Sequence, residues 1–268
     1  MSKTVVITGA SGIIGSRLAE HMAGLGWTLR LLDIAAGPGV TVADLRRYEG
    51  AWVETFAGAD AAIHLGAYRE PTISWAEAQE NIDMTANVLR AARERGVPRV
   101  IFASSNWVMA GYRFAAVRLT PDMPPHPLNP YGVSKLAGEQ MGRVAAAAGL
   151  SFIAFRIGSN QTVHGGRPGL HQSMGSWGQQ LWLSTRDLCQ AFERAVLVEG
   201  VSFAVLNLMS DNVGMMWDLE ATKRVIGYAP QDRWTAEMTE EKRHGEEMAR
   251  RCRALAAELE ETVMLSGW

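Results

Sequence analysis

"TVVITGASGIIGSRL", Thr4–Leu18, is the stretch from which the rest of the chain is read. Thr4–Thr8 is a short β-branched run without polar alternation, the pattern of a strand buried on both faces of a parallel sheet. From Gly12 to about Leu25 the apolar positions, among them Ile13, Leu18 and Met22, fall at helical spacing. Between strand and helix stand Gly9, Gly12 and Gly15, three residues apart. Glycines also make ordinary turns, so the pattern alone is weak. Its context adds to it: the turn lets backbone approach a pyrophosphate, and the helix N-terminus offers N–H groups and a favourable dipole. The same device calls for an acid about 20 residues further on, at the end of the second strand. "TLRLLD" ends there, on Asp33, and Ile34, Ala35 and Ala36 follow with no Arg or Lys. A carboxylate accepts hydrogen bonds from ribose hydroxyls and repels a 2′-phosphate, which favours NAD over NADP.

Working outward, "GVTVADL", "ADAAIHLGA", "RVIFASS" and "SFIAFRIGS" read as further strands. Helices are expected over Thr72–Arg95, stopped by Gly96-Val97-Pro98, and over Pro130–Ala148. Strands alternating with helices predict an α/β fold: a Rossmann-like, doubly wound parallel sheet with helices on both faces. After Gly158 the texture changes. "SNQTVHGGRPGLHQSMGSWGQQ" has no periodicity and reads as a functional loop. A helix around Thr185–Val198, a strand at "SFAVLNL" and a charged helical tail over 235–262 follow. The tail's scattered Met248, Leu255 and Leu259 suit packing on the domain or on a second subunit. Residues 1–160 are thus expected to hold the dinucleotide and 161–268 a small substrate-binding region, with a single integrated domain as the alternative.

Composition bounds the function. The chain has 268 residues, 47% hydrophobic and 20% charged, with a formal net charge of −2. There is no basic excess for nucleic acid. Cys189 and Cys252 are isolated and lack metal-ligand spacing, so no metal is expected and a reducing compartment fits. The start runs directly into a strand without a signal-peptide pattern, and no apolar run spans a bilayer; a cytoplasmic protein without membrane contact is expected.

"NPYGVSKLAGEQ", Asn129–Gln140, brings in chemistry. Pro130 suits a first helical turn, and Tyr131 and Lys135, at i and i+4, then share a face. With four lysines and five tyrosines in the chain, chance seldom sets a pair at this spacing. A phenol titrates near 10 in water and is a poor base at neutral pH; a neighbouring ammonium, together with the positive charge of a bound nicotinamide, lowers that value.

Together these residues resemble the extended short-chain dehydrogenase/reductase family. The glycines match its TGxxGxxG, "ADL" its adenine contact, "HLGA" its fourth-strand cofactor contact, "FASSN" its serine-bearing strand and "YGVSK" its Tyr-x-x-x-Lys helix. The resemblance implies NAD held by Gly9, Ser11, Gly12, Ile13, Ile14, Gly15, Asp33, Asp44, Leu45, Leu65, Gly66, Ala67, Asn81, Tyr131, Lys135 and Ile157. It makes Ser105, Tyr131 and Lys135 catalytic: Tyr131 the general base, Ser105 polarising the substrate oxygen, Lys135 holding the nicotinamide ribose. A homodimer or higher homo-oligomer through the Thr72–Arg95 and Pro130–Ala148 helices is a further family expectation.

More narrowly, "IFASSNWVMAGY", "LTPDMPPHPLNPYGVSKLAGE" and "FRIGS" resemble uronate dehydrogenases. That implies oxidation of the anomeric carbon of an acidic hexose to its lactone, with Ser105, Asn106, Trp107, Tyr131, Ser159 and Asn160 on the sugar. Two departures stand out. The arginine that grips the carboxylate in those enzymes is absent from "GSWGQQLWLST", where Trp177 or a neighbour takes its place. Arg69 stands where they carry a substrate-contacting serine. Arg69, His164, Arg167 and His171 are then the cations for an anionic group, a hexuronate carboxylate or the sulfonate of a sugar such as sulfoquinovose. The plainer reading pairs Arg69 with Glu70 or Glu77 at the surface. An epimerase or dehydratase that keeps its NAD is the competing enzyme class, and an NAD-sensing binding protein the non-catalytic one.

Overall fold

The computed structural model describes residues 2–115, 117–160 and 175–265. Seven strands form one sheet: β1 Thr4–Thr8, β2 Thr28–Asp33, β3 Val40–Val42, β4 Ala61–His64, β5 Arg99–Ser105, β6 Ser151–Ile157 and β7 Phe203–Leu208. Their order is β3-β2-β1-β4-β5-β6-β7, every pair parallel. The winding reverses between β1 and β4, and such a switch point leaves a crevice at the carboxyl ends of the strands. β7 belongs to the stretch expected as a substrate region, yet it extends the same sheet beside β6.

Successive side chains of a strand face opposite ways, which is why these strands read as continuous apolar runs. On one face α1 (Ile13–Gly24) and α6 (Thr185–Leu197) bring Leu18, Met22, Leu188 and Phe192 onto Ile7, Ile101, Ile153 and Phe155. On the other, α3 (Trp75–Glu94) brings Met84, Val88 and Ala91 onto Val6, Phe102 and Phe152. α4 (Pro130–Ala147) lies on that second face beside α3. Short helices α2 (Gly50–Val53), α5 (Gly175–Gln180) and α7 (Glu220–Ile226) and the long α8 (Glu240–Leu265) complete the described elements. None of the described helices is long and apolar enough to cross a membrane.

Helix starts follow side-chain capping. α3 begins at Trp75, three residues after the expected start, because Ser74 and Glu77 form a reciprocal capping box (Glu77 N–H to Ser74 Oγ 3.2 Å, Ser74 N–H to Glu77 Oε2 2.8 Å). α4 begins at Pro130, where Asn129 Oδ1 accepts the Gly132 N–H at 2.7 Å. α8 starts at Glu240, later than the expected 235.

Candidate active site

A cleft of about 750 Å³ opens at the carboxyl ends of β1 and β4. Its floor is the turn after β1. Gly9 has φ +70°, and a Cβ there would sit 2.7 Å from the Gly66 nitrogen; one on Gly15 would sit 2.2 Å from the Gly9 oxygen. Only glycine lets these three backbone segments come so close. α1 starts from Gly12 with no side-chain cap and no acid in its first turn, so its N–H groups are left for an anion. At the end of β2 the Asp33 carboxylate is held by two backbone donors, Ser11 N–H at 2.9 Å and Ala35 N–H at 3.0 Å. An uncapped helix start over a bare glycine turn, with a fixed carboxylate beside it, fits a dinucleotide.

The cleft is lined by Gly9, Ser11, Gly12, Ile13, Ile14, Gly15, Asp33, Asp44, Leu45, Leu65, Gly66, Ala67, Tyr131, Lys135 and Ile157. Asn81, expected there too, does not line it. Its side chain holds the Tyr68 N–H (2.8 Å) and carbonyl (3.0 Å) and reaches Ser134, clipping the loop after β4 to α4. Arg46, Tyr68 and Met84, unnoticed in the sequence, also line the cleft, as does Glu70, expected only as a surface partner of Arg69. Arg46 is held by Asp44 in two 2.8 Å bonds, a partnership that no motif announces.

Tyr131 and Lys135 occupy the first turns of α4, both buried, and Ser105 closes β5 opposite them. Ser105 Oγ accepts the Trp107 N–H at 3.2 Å, so its own proton is left free to point at the Tyr131 oxygen, whose phenol it draws down. Lys135 Nζ lies 5.6 Å from the centre of the Tyr131 ring and 5.0 Å from that of Phe102. Burial pushes the Tyr131 phenol up to about 12, against the Ser105 bond, with Glu70 raising it and Arg69 lowering it. Burial likewise draws Lys135 down to about 7. The sequence predicts a phenol lowered by Lys135 and the nicotinamide charge together. In the chain alone the direction is upward, because desolvation of the phenolate outweighs what Ser105 returns.

Two buried networks stand behind these groups. Thr85 Oγ1 donates to the Asn81 carbonyl (2.9 Å), so it can only accept from His64 Nε2–H (3.2 Å). His64 Nδ1 then accepts from Thr8 O–H (2.8 Å), whose oxygen takes the Gly66 N–H (3.4 Å). The ring is therefore neutral, and burial with the nearby Lys135 charge holds it down at about 3. One turn beyond Lys135, Glu139 takes Arg156 in two bonds (Nε 2.9 Å, Nη2 2.8 Å) and the Ser104 O–H at 2.6 Å. Arg156 also reaches the Pro121 carbonyl and Met109 sulfur, both at 3.2 Å. The signal for this pair was present but unread: an acid eight residues after Tyr131, and one cation in the apolar strand "SFIAFRI".

The expected sugar contacts divide. Arg69 lines the cleft and pairs with Glu70 at 3.4 Å, the side chains 62% and 68% exposed; Glu77 is engaged at the α3 cap instead. Trp107 packs near Tyr131 and Ile73. Asn106 opens the 3₁₀ segment Asn106–Tyr112 and donates to the Ile157 carbonyl at 3.0 Å. Ser159 pairs through its backbone with Leu181 and Leu183. Asn160 is turned the other way: its side chain accepts from Arg17 of α1 (2.5 Å) and donates to the Leu183 carbonyl (2.8 Å), buried and outside the cleft lining. His164, Arg167 and His171 lie outside the described residues. Trp177 is buried against Trp217 (ring centres 5.5 Å apart) and lines a second cavity of about 500 Å³, not the cofactor cleft. Among the described residues no group of three or more His, Cys, Asp or Glu is placed to hold a metal ion.

A model of the NAD dependent epimerase/dehydratase family matches residues 5–171. The chain is 33% identical over 235 residues to a uronate dehydrogenase of Pseudomonas putida, covering 85% of this chain and 84% of the relative. It is 32% identical over 265 residues to an NAD-dependent glucose-6-phosphate dehydrogenase of Haloferax volcanii, covering 89% and 97%. Among solved structures it is similar to a variant uronate dehydrogenase from Agrobacterium tumefaciens complexed with NAD. There the TM-score is 0.75 at 30% identity, over 87% of this chain and 86% of that one.

Proposed function

That the chain belongs to the NAD dependent epimerase/dehydratase family is the premise from which we propose its reaction, oxidation of the anomeric hydroxyl of an acidic hexose to the lactone. It is an NAD-dependent sugar dehydrogenase. The observation that carries the finer reading is the convergence of Ser105, Tyr131 and Lys135 on the cleft that the glycine turn opens.

NAD, when bound, supplies the acceptor for the hydride. The chain does the rest. Ser105 holds the anomeric oxygen by donating its O–H, which turns to the substrate from the phenol beside it. Tyr131 takes the hydroxyl proton as the hydride departs, a step worth about 10²–10⁴-fold in rate. Lys135, over the phenol ring, opposes the negative charge that Tyr131 carries before the transfer, and at low local dielectric that opposition is strong. Gly9, Gly12, Gly15 and the start of α1 hold the pyrophosphate, and Asp33 the adenosine ribose.

Arg69 is the cation that supports an acidic group on the substrate. Its exposed pair with Glu70 contributes little, so the guanidinium is available to a hexuronate carboxylate or to the sulfonate of a sugar such as sulfoquinovose. Asn106, Trp107 and Ser159 follow the carboxyl ends of β5 and β6 in the chain and are assigned to the sugar. The test follows NADH absorbance while NAD is offered with glucuronate, galacturonate, sulfoquinovose, glucose 6-phosphate or glucose. We expect reduction with one acidic sugar, a KM for it raised about tenfold or more in Arg69→Ala, the loss of one charge-assisted contact, and no turnover in Tyr131→Phe with NAD binding kept. Silence across the panel with NAD tightly retained by the purified protein turns the reading to an epimerase, and an unchanged KM in Arg69→Ala removes that residue from the site.

A further inference from the structure

The last helix carries an apolar stripe that the described residues of its own chain leave bare. α8 is anchored near its start, where Glu246 accepts from the Ser176 N–H and O–H at 2.6 Å each. Further along, every described side chain from Ala254 to Thr262 is exposed. Met248, Cys252, Leu255 and Leu259 recur at intervals of four, three and four, the seam of a coiled coil. All four are exposed, Leu255 and Leu259 at 64% and 65%. The flanks of this seam differ. One carries Ala249 and Ala256; the other carries Arg251 and Glu258, seven residues apart.

We propose that α8 is a docking surface for α8 of a second copy of this chain, the two helices lying antiparallel. Charge decides the direction. In a parallel pair each flank meets the opposite flank of its partner, so Arg251 and Glu258 would face alanines. The three arginines of 250–253 would lie level with their own copies, and so would the acids of 258–261. Turned antiparallel, like flanks meet: Arg251 of each copy faces Glu258 of the other, twice over. The same alignment sets Cys252 against Leu255 and Met248 against Leu259, so one register satisfies both seam and flank. The alanine flanks meet on the other side and let the helices approach closely. Arg251 now bonds Glu247 at 2.8 Å in an exposed i,i+4 pair, of the kind that yields readily to a better partner. The seam is short for a free peptide, but it is built on an alanine-rich helix already clamped to the folded body at Ser176.

The test is the mass of the whole protein in solution by sedimentation equilibrium, for wild type and for Leu255→Glu/Leu259→Glu. We expect the association number to halve in the variant, with its thermal midpoint near that of the wild-type subunit. Arg251→Glu and Glu258→Arg should each weaken association, and the two together in one chain should restore it. Under mild oxidation Leu255→Cys should form a covalent dimer with the native Cys252 of its partner, while wild type should not cross-link. A monomeric wild type, an unchanged mass in the double-Glu variant, or a charge swap without rescue overturns the proposal. So does a wild-type Cys252–Cys252 cross-link, which belongs to a parallel pair.

Discussion

Removing the carboxylate of Glu139 should destabilise the protein by about 3–5 kcal/mol, the cost of stranding a charge inside it. The side chains of Glu139 and Arg156 are 2% and 3% exposed. Without Glu139 the guanidinium keeps only the Pro121 carbonyl and the Met109 sulfur, and the Ser104 hydroxyl loses its acceptor. The loss is therefore the penalty of an uncompensated buried cation, not the worth of the pair. That distinction is measurable. Replacing both partners by apolar residues of similar volume, Glu139→Leu with Arg156→Met, should cost much less than Glu139→Ala alone, because no charge is left behind. Urea unfolding followed by tryptophan fluorescence reads it. With a slope near 3 kcal/mol/M for a chain of this size, Glu139→Ala should move the midpoint down by roughly 1–1.7 M. A shift under about 0.3 M on that slope, or a double variant less stable than the single one, would refute the reasoning.

Other perturbations follow from single observations. Gly15→Ala sets a Cβ against three backbone atoms within 2.8 Å; NAD affinity by calorimetry should fall at least tenfold, about 1.4 kcal/mol, and an unaltered Kd would detach the turn from the cofactor. His64 is held at about 3 in the fold and titrates near 6.5 when unfolded. Between those values the unfolded chain binds the extra proton, so stability should fall with falling pH by up to about 1.4 kcal/mol per unit through this residue. Urea midpoints across pH 6.5 to 3 should show His64→Gln losing less than wild type; parallel curves would count against the buried neutral ring. Asp33→Asn removes the charge that repels a 2′-phosphate, so the ratio of kcat/KM for NAD over NADP should narrow by about fivefold, a charge contact near the surface being worth about 1 kcal/mol. An unchanged ratio would take Asp33 out of cofactor choice.

The chemistry-bearing motifs were legible because each is local. Gly9, Gly12, Gly15 and Asp33 are spaced by the geometry of one β-α-β unit, and Tyr131 and Lys135 by one helical turn, so sequence distance translates directly into space. The strands were legible for the same reason: burial on both faces leaves an unbroken apolar run. Asn81 falls outside the cleft lining although Met84 of the same helix reaches it, because its amide is spent on the Tyr68 backbone. Asn160 follows "RIGS" directly, yet the chain turns there and Arg17, distant in sequence, claims its side chain. The rise of the Tyr131 phenol was not readable at all, since burial is a property of the packed helix and the sequence showed only the neighbouring lysine.

The buried pair also accounts for how the proposed base would be aimed. Tyr131, Lys135 and Glu139 stand at i, i+4 and i+8 on α4, two groups at the cleft and one holding. On β5 the roles are consecutive: Ser104 bonds Glu139, and Ser105, the next residue, stands against Tyr131. The Ser104–Glu139 bond thus ties the helix to the strand end that carries Ser105, and a rotation of α4 that loosened it would also turn Tyr131 away from Ser105. This gives a reason for a buried ion pair where apolar residues pack as stably: bidentate Glu139–Arg156 geometry fixes the rotation of α4, which leucine and methionine would not. Stability and rate should then separate. Glu139→Leu/Arg156→Met should fold near wild-type stability yet lose about tenfold or more in kcat, roughly 1.4 kcal/mol of transition-state alignment. The KM for NAD should hold, because the glycine turn and Asp33 are untouched. If the double variant turns over like wild type, Ser105 and Tyr131 need no help from the pair to find each other, and Glu139 serves the fold alone.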